Sequence, residues 1–459
     1  MEIAAREILT TQRQQEPVAW WGFYVEALEA GATVSMAKSG SPPSVTLEYS
    51  INGGRTWRSF DADGGTTTVT LAKAGNRAYF RAVTTNARLA SSIIAYHKFV
   101  FGNRVAVGGN ILSLLSSAEI SAFPSTDSSA SYCLPGLFYD STTLVDASAL
   151  VLPDSAMPQC CYQQMFRGCT SLTAAPELPA TTLATYCYRE MFYGCTALTA
   201  APALPATTLA NYCYQNMFSG CTSLTAAPAL PATTLATGCY SQLFRGCSKL
   251  TAAPALPATT LAGSCYQGMF FGCSKLAAAP ELPATTLAYY CYQYMFQDCT
   301  SLTAAPELHA TTLAPNCYQQ MFYGCTSLTT APALPATTLA SGCYAQMFYD
   351  CTSLTAAPEL PATTLAQSCY SSMFRGCTSL RAAPELSATT LANYCYSYMF
   401  MSCSTLRQIT TAHTAWSPTN ATTNWVSGVS SSGTFTCPAA LPQTRGANYI
   451  PTSWTIVTT

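Results

Sequence analysis

Charge is scarce in this chain: only 9% of its 459 residues are Asp, Glu, Lys or Arg, against about 25% in an average soluble protein. The 20 basic and 21 acidic residues leave a net charge of -1, which removes any electrostatic case for nucleic acid. Histidine is rarer still, and His97, His309 and His413 share no spacing, so no histidine-based metal set is encoded. Long apolar runs are missing too. Although 49% of residues are hydrophobic, Thr, Ser, Pro or Gly breaks every stretch well before the ~18 residues of a membrane helix. The first residues, with Glu2, Arg6, Arg13 and Glu16, lack the basic start and apolar core of a secretory leader. Nothing points to a cofactor.

Cysteine, in contrast, is plentiful, and its 23 copies are spaced rather than clustered. One series runs from Cys161 through Cys187 and Cys213 to Cys395, a second from Cys169 through Cys195 and Cys221 to Cys403, each in steps of 26 residues. Cys133, Cys160 and Cys437 stand outside both. A fixed period of this size means one supersecondary unit per repeat, stacked on the next as a solenoid. In the unit that begins at Cys187, apolar residues at Cys187, Met191 and Phe192 followed by Gly194 predict a short helical turn with a glycine cap. Thr196 to Ala200 and Thr207 to Leu209 read as short strands, with Pro202 and Pro205 between them. No single repeat can bury Cys187, Met191, Phe192, Cys195, Leu198, Leu204 and Leu209 alone. Stacking sets each on its equivalent in the next coil, so the core is a set of columns.

The expected fold is therefore a repeat solenoid of short strands and short helical turns, about 11 coils over residues 131–406, counting a degenerate one at Cys133. In front of it, alternation in Ser44–Tyr49 and Thr56–Phe60, with further strands at Thr67–Leu71 and Ala78–Val83, predicts a β-sandwich module over 18–105. Residues 1–17 form an N-terminal segment and 106–130 a linker, Ser- and Ala-rich with Pro124. Residues 407–459, with Trp416, Trp425 and Trp454, read as a C-terminal cap over the last coil.

The block Met191-Phe192-Tyr193-Gly194-Cys195-Thr196-Ala197-Leu198-Thr199, recurring through roughly 131–406, resembles the BspA-type leucine-rich repeats of bacterial surface proteins. That resemblance implies a right-handed solenoid and adhesion or ligand binding at a surface, with no catalytic residues to carry over. The front module and the Trp454–Val457 ending also look like chains of gut bacteria and their phages, so a virion appendage fits. The Ala-Ala-Pro-x-Leu-Pro-Ala-Thr-Thr-Leu-Ala stretch is more uniform than that family usually shows.

Several features admit more than one chemistry. The cysteine columns can be metal ligands, disulfides or packed thiols; a Cys-x7-Cys gap does not suit zinc, and packed thiols acting as small hydrophobes are favoured. Glutamates recur at Glu177, Glu281, Glu307, Glu359 and Glu385, and in adjacent coils their backbones stand about 5 Å apart, as the carboxylates of a retaining glycosidase do. The repeat forces that spacing on any residue, and an exposed wall offers no cleft. The Thr207-Thr208 pair suggests an ice-binding array, yet neighbours on a strand face opposite ways, so one threonine per coil should point out. Tyr188 and its equivalents either stack sugars or pack inside, and packing is favoured. Ser50 to Trp57 resembles an Asp-box hairpin, a structural turn.

The variable positions carry the functional signal. They are the two residues before each first cysteine, the two after the repeated tyrosine, and the one before the glycine. A stacked core would not accept Arg, Gly, Gln and Phe in one column, so these sites are expected to face solvent. They display Tyr186, Tyr193, Tyr212, Arg245, Phe271, Tyr289, Tyr290, Tyr294, Tyr323, Tyr349, Arg375, Tyr394 and Tyr398 as candidate binding residues. Tyrosine with Ser, Asn, Gln and Gly is the palette of recognition surfaces, whereas drift brings in Lys, Glu and Asp. The expectation is a non-enzymatic, extracellular or virion-borne protein that binds a cell-surface glycan or protein. It would not enter membranes, and it would assemble, if at all, through the N-terminal module. The rival readings are a fibre or coat component that contacts its own kind and, more distantly, a polysaccharide hydrolase.

Overall fold

The computed structural model describes residues 22–86, 88–116, 122–123 and 131–459. The proposed segment 1–17 and the Pro124 part of the linker lie outside these. The front module is built from β1 (Tyr24–Ala27), β2 (Ala32–Ser39), β3 (Thr46–Ser50), β4 (Arg58–Asp61), β5 (Val69–Leu71), β6 (Arg77–Ala82), β7 (Ala90–Ser92), β8 (Ala95–Phe101) and β9 (Val105–Asn110). With β10 (Leu144–Val151) they form two sheets, β10-β9-β1-β6-β3-β4 and β5-β2-β8-β7. Burial alternates along β2 and β6, as strands with one face on a core require. Phe23, just before β1, and Phe80 of the first sheet meet Phe99 of the second at 5.2 Å, so the layers pack face to face. The Asp-box segment is the tight turn between β3 and β4, where Asn52 Oδ1 accepts from the Thr56 amide at 3.0 Å.

Two boundaries differ from the sequence reading. Residues 106–116 are not a joint: they complete β9 and a buried 3-10 turn, Ile111–Leu114. The module also does not stop at the array. β9 pairs in parallel with β10, which lies in the first coil and bridges onward from Asp146 to Ala174. Phe138 stacks on Phe166 at 5.2 Å while touching Phe23 and Phe99 at 6.0 Å, making one hydrophobic core of module and coils.

No α-helix forms among the described residues, and the expected helical turn is replaced by a run of β-turns. The Cys187 amide bonds Ala184 O, Met191 bonds Tyr188 O, and Cys195 bonds Phe192 O, each closing a turn whose third residue (Tyr186, Glu190, Gly194) has positive φ. The intervening amides point along the stack: Tyr188 donates to Cys213 O at 3.0 Å, Glu190 to Gln215 O at 2.9 Å, and Phe192 to Met217 O at 2.9 Å. A four-residue turn period sends Cys187, Tyr188, Met191, Phe192 and Cys195 inward with nearly the spacing of a helix face. Over six residues the two cannot be told apart by pattern.

The expected short strands shrink to isolated parallel bridges, such as Ala278 to Ala304 and Thr182 to Thr208. The chain bends at Thr207 and bridges by a single residue at Thr208, with no extended run to alternate faces, and both threonines are exposed rather than one. Inside, phenylalanine rings from Phe138 to Phe400 stack at 5.2–5.8 Å and tyrosine rings from Tyr162 to Tyr396 at 5.7–6.1 Å. Each such step adds roughly 0.5–1.5 kcal/mol beyond burial. Residues 407–459 are more than a lid: β11 (Gln408–Thr410), β12 (Thr434–Cys437) and β13 (Thr455–Thr458) pair in parallel and carry the coil path onward. Trp425 and Trp454 are buried within it, while Trp416 is only half-buried.

Candidate functional site

The tyrosine column that begins at Tyr162 is fully buried, so its rings pack and offer no face to a sugar. Burial holds the Tyr188 hydroxyl well above its usual range of ionisation. The cysteine columns are buried as well. In the second series each thiol donates to a phenylalanine carbonyl of the preceding coil, as Cys195 does to Phe166 O at 3.1 Å and Cys403 to Phe374 O at 3.0 Å. Burial pushes Cys213 and Cys247 up to about 12, which keeps them as inert thiols. Cys133 and Cys161 form a disulfide between the degenerate coil and the first regular one. Among the described residues no group of three or more His, Cys, Asp or Glu is arranged to hold a metal.

The variable positions owe their places to the turns. Tyr186, Tyr212, Tyr290 and Tyr394, preceding the first cysteine, and Tyr294 and Tyr398, following the tyrosine, all sit at left-handed corners with φ of 56–60°. Other coils place Gly238, Gly342, Asn316 or Gly268 at equivalent corners. Gly and Asn recurring at these corners is the sequence signal of a left-handed turn, which a helix does not require.

All thirteen candidates are exposed or half-buried, with Tyr289 50% and Tyr394 46% exposed. Tyr186 stacks on Tyr212 at 5.2 Å, and the Tyr212 ring lies against Gly238. Tyr289 meets Tyr290 edge-on at 5.8 Å and rests against Gly263. Tyr323 stacks on Tyr349 at 4.5 Å, and the Arg375 guanidinium lies 5.1 Å from Tyr349 and 5.9 Å from Tyr398, joining two columns into one patch. Burial, with Tyr349 and Asp350 adjacent, raises the Tyr323 hydroxyl above its usual range. Tyr193 sits beneath Arg167 at 4.3 Å, and Phe271 beneath Arg245 at 4.6 Å. No ring contact links Tyr289–Tyr290 to Tyr323–Tyr349 among the described residues.

Not every variable site faces solvent. Gln163, Glu190, Ser219, Ser241, Gln293, Ser372 and Ser397 are buried. Their variety survives because polar ladders between coils accept different partners: Gln267 donates to Gln293 and Gln293 to Gln319, each at 2.6 Å. Glu190 is held by Arg167, by Gln164 at 2.9 Å and by Arg189 at 3.3 Å.

The glutamates line shallow grooves on the proline wall, contrary to the flat surface expected. One of about 500 Å3 is bordered by Glu281, Glu307 and His309. Glu307 is 90% exposed, so no carboxyl there is desolvated as a general acid requires. No helix among the described residues is long and apolar enough to cross a membrane.

The family described as BspA type leucine rich repeat region matches this chain in six copies, over residues 159–277, 239–355 and 292–419. No curated protein matches it significantly.

Proposed function

The chain belongs to the BspA-type leucine-rich repeat family, and on that footing we propose that it is a recognition protein without catalytic activity, acting outside the cell or on a virion. Its ligand is a cell-surface glycan or protein, held by the tyrosine- and arginine-lined corner. Proteins of this family are generally surface-associated, and leucine-rich repeat domains mediate interactions. The observation that carries the reading is the placement of six tyrosines. Tyr186, Tyr212, Tyr290, Tyr294, Tyr394 and Tyr398 occupy left-handed corners that cost a bulky residue roughly 1–2 kcal/mol each and glycine almost nothing. The same corners hold Gln164, Glu190, Ser264 and Gln320 in other coils, so the left-handed backbone belongs to the turn; what supports the reading is that six of these fixed corners carry tyrosine rings on a frame held by coil-to-coil hydrogen bonds, as a preorganised binding surface needs.

The full chain screened on glycan and protein arrays tests this. Tyr289→Ser, Tyr290→Ser and Tyr294→Ser together should abolish capture while thermal unfolding stays nearly unchanged; unaltered capture removes this patch from the site. If the corner proves buried between copies of the chain in an assembly, the protein is a fibre or coat component instead.

A further inference from the structure

We propose that Arg245, Lys249 and Lys275 form a site for the acidic groups of an anionic saccharide. This rests on the recognition reading above and names the ligand class. Residues 191–280 contain no Asp or Glu, and these three side chains are their only charges. They lie on two consecutive coils and all three are exposed. None is ion-paired among the described residues, whereas Arg77, Arg81, Arg104, Arg167 and Arg189 each reach a carboxylate. The nearest acids along the chain are Glu190, already held by Arg167 and Arg189, and Glu281, on the proline wall.

Arg245 is aimed by its surroundings, and the two lysines are spaced by the register of their coils. Arg245 donates to Gln242 Oε1 at 2.8 Å and lies 4.6 Å from the Phe271 ring centroid, so its fork is oriented while its other donors remain free. The Gly246 amide bonds Phe271 O at 2.7 Å, and Ser274 Oγ donates to Ser248 O at 3.5 Å, which fixes the two coils in register. Lys249 and Lys275 are therefore equivalent residues one coil apart. Ser, Ala or Thr stands at that position in every other regular repeat. Like charges on neighbouring rungs repel, and a bound anion offsets that repulsion.

A saccharide fits better than nucleic acid. Three cations in a chain of net charge -1 make no track for a phosphate backbone. Gln242, Ser248 and Ser274 supply neutral hydrogen bonds, and Phe271 supplies an apolar ring, beside the charges. The guanidinium takes a carboxylate or sulfate in a two-pronged bond and the lysines take neighbouring ones.

The test titrates the full chain with short oligogalacturonate, dextran sulfate, a neutral maltooligosaccharide and a single-stranded oligonucleotide. An acidic saccharide should bind, weaken as salt rises from about 50 to 200 mM, and bind at least ~10-fold more weakly to the Arg245→Gln/Lys249→Gln/Lys275→Gln variant. Thermal unfolding of that variant should match the parent, since all three side chains are on the surface. The assignment is overturned if neither acidic probe binds, if the neutral sugar or the oligonucleotide binds as tightly, or if the variant binds as the parent does. A ligand captured on the arrays through Tyr289, Tyr290 and Tyr294 but indifferent to the charge variant would leave the recognition reading standing and remove this one.

Discussion

Tyr396 stacks on Trp425 with centroids 6.3 Å apart and planes 25° from parallel, the last step of the buried tyrosine column. Steps between tyrosines further along that column tilt by only 2–12°. The indole also touches Phe400 at 6.2 Å and sends its N–H to Tyr449 O at 2.8 Å, so one side chain ends two ladders and ties down the segment after them.

Trp425→Ala should therefore cost about 3–5 kcal/mol, as other buried aromatic truncations do. In a stack where each coil contacts only its neighbours, the loss should open the C-terminal coils first. Hydrogen exchange would show it: amides of residues 396–459 should lose protection while those near Cys213 keep theirs.

Tyr290→Asn should stabilise the fold and weaken binding together. Asparagine tolerates φ near 56° better than tyrosine, a gain of up to about 1 kcal/mol, while the ring is lost from the corner. Denaturant unfolding and array capture with the same variant check the two halves; a less stable Tyr290→Asn protein would mean that the ring supports the coil rather than the ligand.

Gly376→Ala should destabilise more than Gly220→Ala. Both glycines have φ near 75°, but a Cβ at 376 runs into the Asp350 carboxylate, whereas at 220 its nearest neighbours are backbone atoms of Gly194 at 3.6 Å. Asp350→Gly added to Gly376→Ala should recover the difference beyond what Asp350→Gly gives alone at its own φ of 55°, which melting temperatures of the parent, the three single variants and the double variant would reveal.

His413 predicts a pH dependence. Its ring is wholly buried, facing Thr411 Oγ1 and 4.8 Å from Trp416, and burial lowers its pKa to about 4 from the usual 6.5. Between those values the unfolded chain takes up a proton that the folded one refuses. This contribution is thus intact above pH 6.5 and is lost as pH falls towards 4, at about 1.4 kcal/mol per pH unit for the fully separated case. Unfolding of the parent and of His413→Gln at pH 7 and pH 4.5 should show a smaller acid penalty in the variant; equal penalties would exclude this residue as the cause.

The 21 free cysteines are all buried, and labelling should follow global unfolding. Iodoacetamide should modify them far more slowly in the folded chain than in denaturant, and a non-reducing peptide map should link Cys133 to Cys161. Rapid native labelling of Cys213 or Cys247 would contradict their packed state.

What could be read without coordinates follows from repetition. A 26-residue period makes each position meet its own kind, so identity down a column announced burial for Cys187, Met191, Phe192 and Leu198, and the ladders of rings and thiols lie where the period put them. The same logic does not reach Gln293 and Glu190, because variety in a column does not require exposure: a buried polar ladder tolerates variety as long as each rung finds a partner. The strand after Cys195 failed because bridging one residue per coil needs no extended run.

The chain by itself determined the repeat, its inward residues and the palette of its variable sites, since each of these depends only on spacing and side-chain chemistry. Tertiary structure alone decided that the inward spacing is met by left-handed turns rather than a helix, that the front sheet continues into the first coil through β10, and that Arg375 joins Tyr349 and Tyr398 while Arg167 is claimed by Glu190. Those outcomes hang on contacts between residues distant along the chain, where hydrogen-bond direction and available partners, not local preference, set the lower free energy.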